Sequence, residues 1–364
     1  MKTNLIGMPR PALEGFFTDI GEKAFHARQV MRWVHGRGCT DFDSMTDLSK
    51  KLRSKLSEVA VASLPKVQFN EKSSDGTQKW LFDMGQAQAV ETVFIPERDR
   101  GTLCISSQVG CALDCSFCAT GAQGFNRNLT AAEIMGQIVV ANRELGFESG
   151  EQRKITNVVF MGMGEPLANY RNVVPVMQIL TDDYGLELSR RRVTLSTSGL
   201  VPQIERLAND CNVALAVSLH APNNSLRDQL VPINKKHPIE ELLPACWNYL
   251  EKTGGRSVTF EYVMLDGVND SDQHRKQLTR LLRGKPAKIN LIPFNPFPGT
   301  EYSRSTDRRV DSFAYGLIKS GVRATVRRTR GDDIAAACGQ LAGRVKDRMT
   351  ARLGDKQFGV VVQR

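Results

Sequence analysis

Apolar residues recur along this chain in two rhythms, and the change between them divides it. In the first 58 residues Phe25, Val30, Met31, Trp33 and Val34 fall near helical spacing, and Gly36 and Gly38 stop that helix. Over 46–56 a second helix is expected, with Leu48, Leu52 and Leu56 on one face and Lys50, Lys51, Arg53 and Lys55 elsewhere. A small helical unit therefore precedes a break near 60–65. Two strand-like runs, 77–82 and 90–95, then flank Gly85 as a hairpin. After them the pattern becomes regular. Candidate strands at 102–106, 155–161, 192–196, 213–218, 257–263 and 288–293 alternate with helical patterns at 131–145, 172–183, 201–208, 239–251, 272–283 and 307–319. Six such units predict an α/β fold with a parallel sheet and right-handed crossovers, as a barrel or an open sheet. In either, ligands collect at the carboxyl ends of the strands. The division expected is 1–62 as a helical accessory unit, whose ten basic against seven acidic residues in the first 58 read equally as a solvated face or an RNA-binding surface, 63–98 as a hairpin linker, 99–328 as the core and 329–364 as a carboxyl-terminal extension.

Composition narrows the class. At 364 residues, 41% hydrophobic and 24% charged, the chain has ordinary globular balance. No apolar run reaches the roughly 20 residues of a membrane helix, and residues 1–11 lack the apolar block of a signal peptide. A cytosolic protein is expected, with no membrane partner. There eight cysteines stay reduced, as ligands, nucleophiles or buried small hydrophobes. A net charge of +10 points to a polyanionic partner. Its location matters more than its sum. Residues 323–352 hold eight basic and three acidic residues; by itself such a run reads as a solvated helix, whereas beside reactive chemistry it suits RNA phosphates.

The chemistry centres on Cys111-Ala-Leu-Asp-Cys115-Ser-Phe-Cys118. Three thiols in eight residues can converge on one inorganic centre. A zinc site usually takes four protein ligands, and no histidine lies near the trio in sequence, the flanking ones being His35 and His220. A redox pair, Cys115 and Cys118, leaves Cys111 idle. An iron-sulfur cluster fits better, since three thiolates hold three irons and leave the fourth open; the other two readings stay open on spacing alone. Gly162-Met-Gly164-Glu165-Pro follows the second core strand and is no dinucleotide fingerprint, because Leu167 occupies the third glycine position. Ser196, Ser198, Ser218, Leu219 and His220 end the next two strands, and Asn295 follows the sixth, where short polar groups can bind a nucleoside.

The Cys-x-x-x-Cys-x-x-Cys spacing, with Phe117 before the last cysteine, resembles the radical S-adenosylmethionine superfamily. That resemblance implies a partial barrel of six β/α units. It also implies one [4Fe-4S] cluster on Cys111, Cys115 and Cys118, whose open iron binds the amino and carboxylate groups of S-adenosylmethionine and reduces it to a 5′-deoxyadenosyl radical. Gly164, Glu165, Ser196, Ser218, Leu219, His220 and Asn295 would contact that cofactor.

Further phrases resemble the RlmN-type RNA adenine-carbon-2 methyltransferases across nearly the whole chain. They are Cys104 in Leu103-Cys-Ile-Ser-Ser-Gln-Val-Gly-Cys111, Cys338 in Ala335-Ala-Ala-Cys-Gly-Gln-Leu341, Val90-Glu-Thr-Val-Phe-Ile-Pro96 and Arg28-Gln-Val-Met-Arg-Trp33. The resemblance implies two S-adenosylmethionine molecules per turnover, one methylating Cys338 and one yielding the radical that activates that methyl. A protein-RNA adduct follows, with Glu91 as proton acceptor and Cys104 resolving the adduct through a transient disulfide with Cys338. Carbon-2 of adenine is electrophilic, so a nucleophilic methylene radical reverses the polarity that direct transfer from a sulfonium would need. The implied partners are 23S rRNA at the peptidyl-transferase centre, tRNA next to the anticodon, and an electron donor such as flavodoxin or ferredoxin, with the enzyme a monomer. Cfr-type methylation at carbon-8 is the neighbouring alternative within enzymes. A non-catalytic RNA-binding protein with a structural metal is the alternative of another class.

Overall fold

The structure, a computed structural model, describes residues 2–147 and 153–346. The first 60 residues form a helical unit of α1 (Arg10–Asp19), α2 (His26–Met31) and α3 (Lys50–Val59). Leu13, Phe17, Val30, Met31, Val34, Leu52 and Leu56 bury its inner faces. The helix expected over 25–34 is completed by a wide π turn, Arg32–Gly36, ahead of the left-handed Gly38. The next helix begins later than its apolar spacing suggests. The Ser49 hydroxyl accepts the Leu52 N–H and caps it, so Lys50 is the first helical residue. A two-residue parallel pairing of Thr3–Asn4 with Ala60–Val61 closes the unit.

Ten strands make one sheet: β1 (Val67–Lys72), β2 (Gln78–Asp83), β3 (Ala89–Glu97), β4 (Arg100–Cys104), β5 (Asn157–Phe160), β6 (Val193–Thr197), β7 (Ala214–Ser218), β8 (Val258–Met264), β9 (Ala287–Pro293) and β10 (Arg323–Val326). They lie side by side in chain order, with β1 and β10 at the edges. From β4 to β10 every pairing is parallel, whereas β1 to β4 are antiparallel. The parallel part is the sheet of six β/α units that the alternating pattern predicts, with β10 added at its edge, and it is consistent with the partial barrel that the resemblance implies. The expected hairpin is continuous with it through the β3–β4 pairing.

Between the parallel strands run α4 (Ala119–Ala122), α5 (Ala131–Glu144), α6 (Tyr170–Thr181), α7 (Val201–Asp210), α8 (Asn224–Leu230), α9 (Ile239–Thr253), α10 (Asp272–Leu282) and α11 (Asp307–Lys319). Thr130 and Glu133 cap α5 reciprocally. The strands carry the buried positions of the main core, among them Leu103, Val158, Leu195, Val217, Phe260 and Ile289.

The basic run after Arg323 is no solvated helix. It starts as the edge strand β10, and beyond it residues 327–346 hold only the short turn Asp332–Ile334. Gly331, Ala335, Gly339 and Gly343 all adopt positive φ, which ends any helix within a turn. The part of the expected extension from residue 347 onward lies outside the described residues.

A buried polar knot fixes the strand end that leads into the cysteine loop. Gln137 of α5, with no exposure, accepts from Thr92 Oγ1 at 2.7 Å and from the Ser106 N–H at 2.9 Å, and donates to the Ser106 carbonyl at 2.9 Å. Gln137→Leu strands all three groups without water and is expected to cost about 2–4 kcal/mol in urea unfolding; a change below about 0.5 kcal/mol would show the knot to be redundant.

Candidate active site

The cysteine loop curls because two residues take left-handed backbone, Gly110 at φ 78 and Asp114 at φ 54. The Cys111 N–H donates to the Gly124 carbonyl at 2.8 Å and the Cys118 N–H to the Cys115 carbonyl at 3.1 Å. Cys111, Cys115 and Cys118 are half-buried and line one cavity at the carboxyl ends of the parallel strands. Its atom-free space, open mouth included, is about 1030 Å³. Gly164, Glu165, Ser196, Ser198, Ser218 and His220 line the same cavity, and so does Cys338. The cavity thus collects most of the residues expected from the sequence. Leu219 is fully buried beside it, and Asn295 lies outside its wall.

Burial pushes the Cys111 thiol up to about 12. Burial also raises Cys115 well above the ordinary thiol range, against small opposing effects of a Ser198 hydrogen bond and Arg227. These thiols resist ionisation on their own, and a coordinated iron removes that penalty by supplying positive charge to the thiolate. The donor set therefore fits an iron-sulfur cluster. Among the described residues no three His, Cys, Asp or Glu side chains are drawn together tightly enough for a single metal ion. A cluster instead takes one thiolate at each of three iron corners.

The opposite wall is preorganised by buried hydrogen bonds. Glu165 accepts the Leu167 N–H at 3.0 Å and the Ser198 N–H at 2.8 Å, while its own N–H donates to Gln108 at 2.8 Å. Burial pushes its carboxyl up to about 7, with those hydrogen bonds acting in the opposite direction. His220 holds a left-handed backbone, φ 56, and its Nδ1 accepts the Val263 N–H at 3.0 Å. Burial depresses it to about 3, with Arg227 adding to the effect. The neutral ring thus carries its proton on Nε2. Phe117 packs edge-on against it at 4.5 Å.

Three contributors escaped the sequence reading. Arg227 of α8, without exposure, donates to the carbonyls of Ser198 (2.6 Å), Ser218 (3.1 Å) and Leu219 (3.1 Å) and to Asn234 (2.8 Å), tying the ends of β6 and β7 together. Glu261 lines the cavity from β8, accepts from Asn290 at 2.7 Å, and is raised by burial. Its signal was a carboxylate inside an otherwise apolar strand. Arg327, just past β10, lines the cavity with Cys338; burial opposes its charge, but Cys338, Glu261 and Cys104 together outweigh burial and raise it. Nothing in a basic run distinguishes that arginine from its neighbours.

Cys338 sits on a strap, residues 330–346, that crosses the cavity. The Cys338 carbonyl accepts from Asn295 Nδ2 at 3.2 Å, so Asn295 holds the strap. Beyond it, the Ala119 N–H donates to the Gly339 carbonyl at 2.9 Å and Thr120 Oγ1 to the Leu341 carbonyl at 2.6 Å. Cys104 is buried and pushed up to about 12, by burial first and then by the nearby Cys338. Burial likewise raises Cys338, against the pull of Arg327. Glu91 is not in the cavity wall; its carboxylate receives the Ala342 N–H at 2.9 Å and lies 3.3 Å from Lys79 Nζ.

Comparison with known proteins agrees with this geometry. Residues 3–62 match the family described as Ribosomal RNA large subunit methyltransferase N-terminal domain, and residues 105–278 match the Radical SAM superfamily. A solved radical SAM methyltransferase from Sphaerobacter thermophilus is 46% identical, with a TM-score of 0.85 over 93% of this chain and 99% of that one. SuiB from Streptococcus suis, bound to S-adenosylmethionine, is 13% identical over 64% of this chain and 52% of its own, with a TM-score of 0.47.

The His220 shift has a defined sign. Its folded value of about 3 lies below the ordinary 6.5. The stability it contributes is complete above pH 6.5 and falls as pH drops toward 3, by up to about 1.4 kcal/mol per unit. His220→Asn is expected to flatten the decline of urea stability between pH 6.5 and 5 by about one proton's worth. An unchanged slope would mean that His220 takes up its proton as readily folded as unfolded.

Proposed function

Because the chain belongs to the RlmN-type radical S-adenosylmethionine methyltransferases, we propose that it methylates carbon-2 of an adenosine, in 23S rRNA at the peptidyl-transferase centre and in tRNA next to the anticodon. The observation that carries this reading is the presence of Cys338 in the wall of the cavity lined by Cys111, Cys115 and Cys118. A methyl carrier has to share its space with the radical source, since a primary carbon radical reacts with whatever lies nearest. When bound, a [4Fe-4S] cluster held by the three thiols and two S-adenosylmethionine molecules per turnover supply the methyl group and the radical chemistry.

The chain's own residues do the rest. Gly164, Glu165, Ser196, Ser218 and His220 form the cofactor wall, with Leu219 and Asn295 supporting it from outside the cavity. Cys338 presents the carbon to adenine, and a carbon–carbon bond joins protein and RNA. The hydrogen of carbon-2 leaves as a proton to Glu91, and the unpaired electron of the adduct would be given up to the oxidised cluster, which restores the aromatic ring. The Cys104 thiolate then attacks the Cys338 sulfur; the sulfur–carbon bond breaks with its electron pair going to the methylene carbon, which takes up a proton to become the methyl group, and a disulfide remains, which an external thiol reduces. Cys104 is suited to this step by its nearness to Cys338. Its raised pKa makes formation of the attacking thiolate the costly part, and Arg327 lowers that cost. The base must leave its stack to enter the cavity, so an unpaired or flipped adenosine is the substrate. The reductant is a flavodoxin or ferredoxin, and the enzyme acts as a cytoplasmic monomer.

Nucleoside mass spectrometry of rRNA and tRNA from a deletion strain tests the assignment. Loss of 2-methyladenosine, restored by the wild-type chain but not by Cys338→Ala, is the expected result. Loss of 8-methyladenosine with 2-methyladenosine intact would move the activity to the other carbon. Unchanged RNA in the deletion strain would favour a non-catalytic role.

A further inference from the structure

Glu91 and the strap beyond Cys338 meet at a single hydrogen bond, and the residue behind Glu91 gives that bond its character. On one face of the first three strands the charges alternate. Glu71 of β1 stands opposite Lys79 of β2, and Lys79 lies diagonally across from Glu91 of β3, whose direct partner is Leu81. Lys79 Nζ is 3.3 Å from Glu91 Oε1 and 4.0 Å from Glu71 Oε2. The Lys79 and Glu91 side chains are only 10% and 12% exposed, so this pair is shielded from most of the screening that weakens a surface pair. The other oxygen, Oε2, accepts the Ala342 N–H at 2.9 Å, four residues past Cys338. One carboxylate thus spends one oxygen on an ammonium group and the other on the strap. An ionised acceptor makes a hydrogen bond roughly twice as strong as a neutral one.

We propose that Lys79 positions Glu91, and that the two form a protonation-sensitive catch on the Cys338 strap. The inference rests on Glu91 being the proton acceptor. When the carbon-2 proton moves to Glu91, the C–H electron pair stays with the base, the adduct's unpaired electron would pass to the oxidised cluster, and the carboxylate becomes a neutral acid. It then no longer pairs with Lys79, and it accepts less strongly from the Ala342 N–H. The strap therefore loosens after the adduct has lost its proton, when Cys104 has to reach the Cys338 sulfur. The ties from Ala119 to Gly339, Thr120 to Leu341 and Asn295 to Cys338 involve no titrating group and keep the strap in place. The groups packed on Glu91 are Lys79 from β2, with Glu71 of β1 behind it, the Ala342 amide from the strap, and the neutral Ser106 hydroxyl, which donates to the Glu91 carbonyl at 2.6 Å.

Hydrogen–deuterium exchange on the full chain tests the catch directly, comparing wild type with Glu91→Gln, Lys79→Met and Lys79→Arg. Ala342 and the peptides spanning it should exchange about tenfold faster in Glu91→Gln and Lys79→Met, the factor corresponding to about 1.4 kcal/mol. Lys79→Arg, which keeps the charge, should stay within about twofold of wild type, and β8 peptides should not change; a purely structural lysine would not be rescued by charge alone. Slow, wild-type exchange at Ala342 in Glu91→Gln overturns the catch, and that variant decides if Lys79→Met unsettles the hairpin. RNA methylation by the same variant separates the two ideas. Fast exchange with undiminished methylation would remove the acceptor role and the trigger with it; lost methylation with slow exchange would remove the catch alone.

Discussion

A stretch of backbone without helix or strand has to find hydrogen-bond partners elsewhere, and in residues 330–346 that requirement shapes the whole site. The strap takes them from three distant parts of the chain. The Gly331 N–H donates to Asp75 at 3.1 Å, and Asp333 accepts from Ser73 at 2.6 Å and from the Ser74 N–H at 3.2 Å, all on the β1–β2 turn. Gly339 and Leu341 bond to α4, immediately after the cysteine loop. Arg344 exchanges two backbone bonds of 2.9 Å with Ala89 at the start of β3. Each buried partner left unpaired would cost on the order of 1–3 kcal/mol. The strap is thereby held across the mouth of the barrel, with Cys338 facing inward. The antiparallel strands that extend the sheet beyond the barrel are explained by the same need, because they carry the anchoring turn.

Inside, the cavity is governed by desolvation. Burial pushes the Cys111 and Cys115 thiols up, Glu165 up to about 7 and His220 down to about 3, so on this side of the cavity burial works against the ionised forms. An iron-sulfur cluster and a sulfonium cofactor bound there would meet donors and acceptors already fixed by Arg227, Gln108 and the ends of β6 and β7. Fixed dipoles act without reorganising when the reaction occurs. Arg327 and Glu261 add one opposite-charge pair beside Cys104 and Cys338, at the side of the cavity where sulfur chemistry is proposed.

The sequence made the regular parts legible because burial on a period of two or 3.6 leaves a pattern. Six of the seven parallel strands, β4 to β9, and six long helices fall where the alternation puts them. The cysteine trio was equally legible, since its spacing is local. What stayed hidden depends on long-range pairing. β1 carries no buried position and exists because β2 lies beside it; β10 is an exposed edge read as part of a basic tail; the strap has no period at all. Arg227 looked like an ordinary helix charge, and only the fold brings it beneath two strand ends. Glu91 was recognisable through resemblance, but its link to Lys79 and Ala342 follows from register and a contact across 251 residues.

The account stands or falls on Cys338 sharing a cavity with the cluster cysteines and serving there as methyl carrier. Peptide mass spectrometry of the anaerobically reconstituted protein, incubated with S-adenosylmethionine and a reductant, addresses this most directly. One methyl group on Cys338, absent when Cys115→Ala prevents cluster assembly, is the predicted result. Cys338 found unmodified in protein that methylates RNA, or a methyl found on Cys104 in its place, would contradict it.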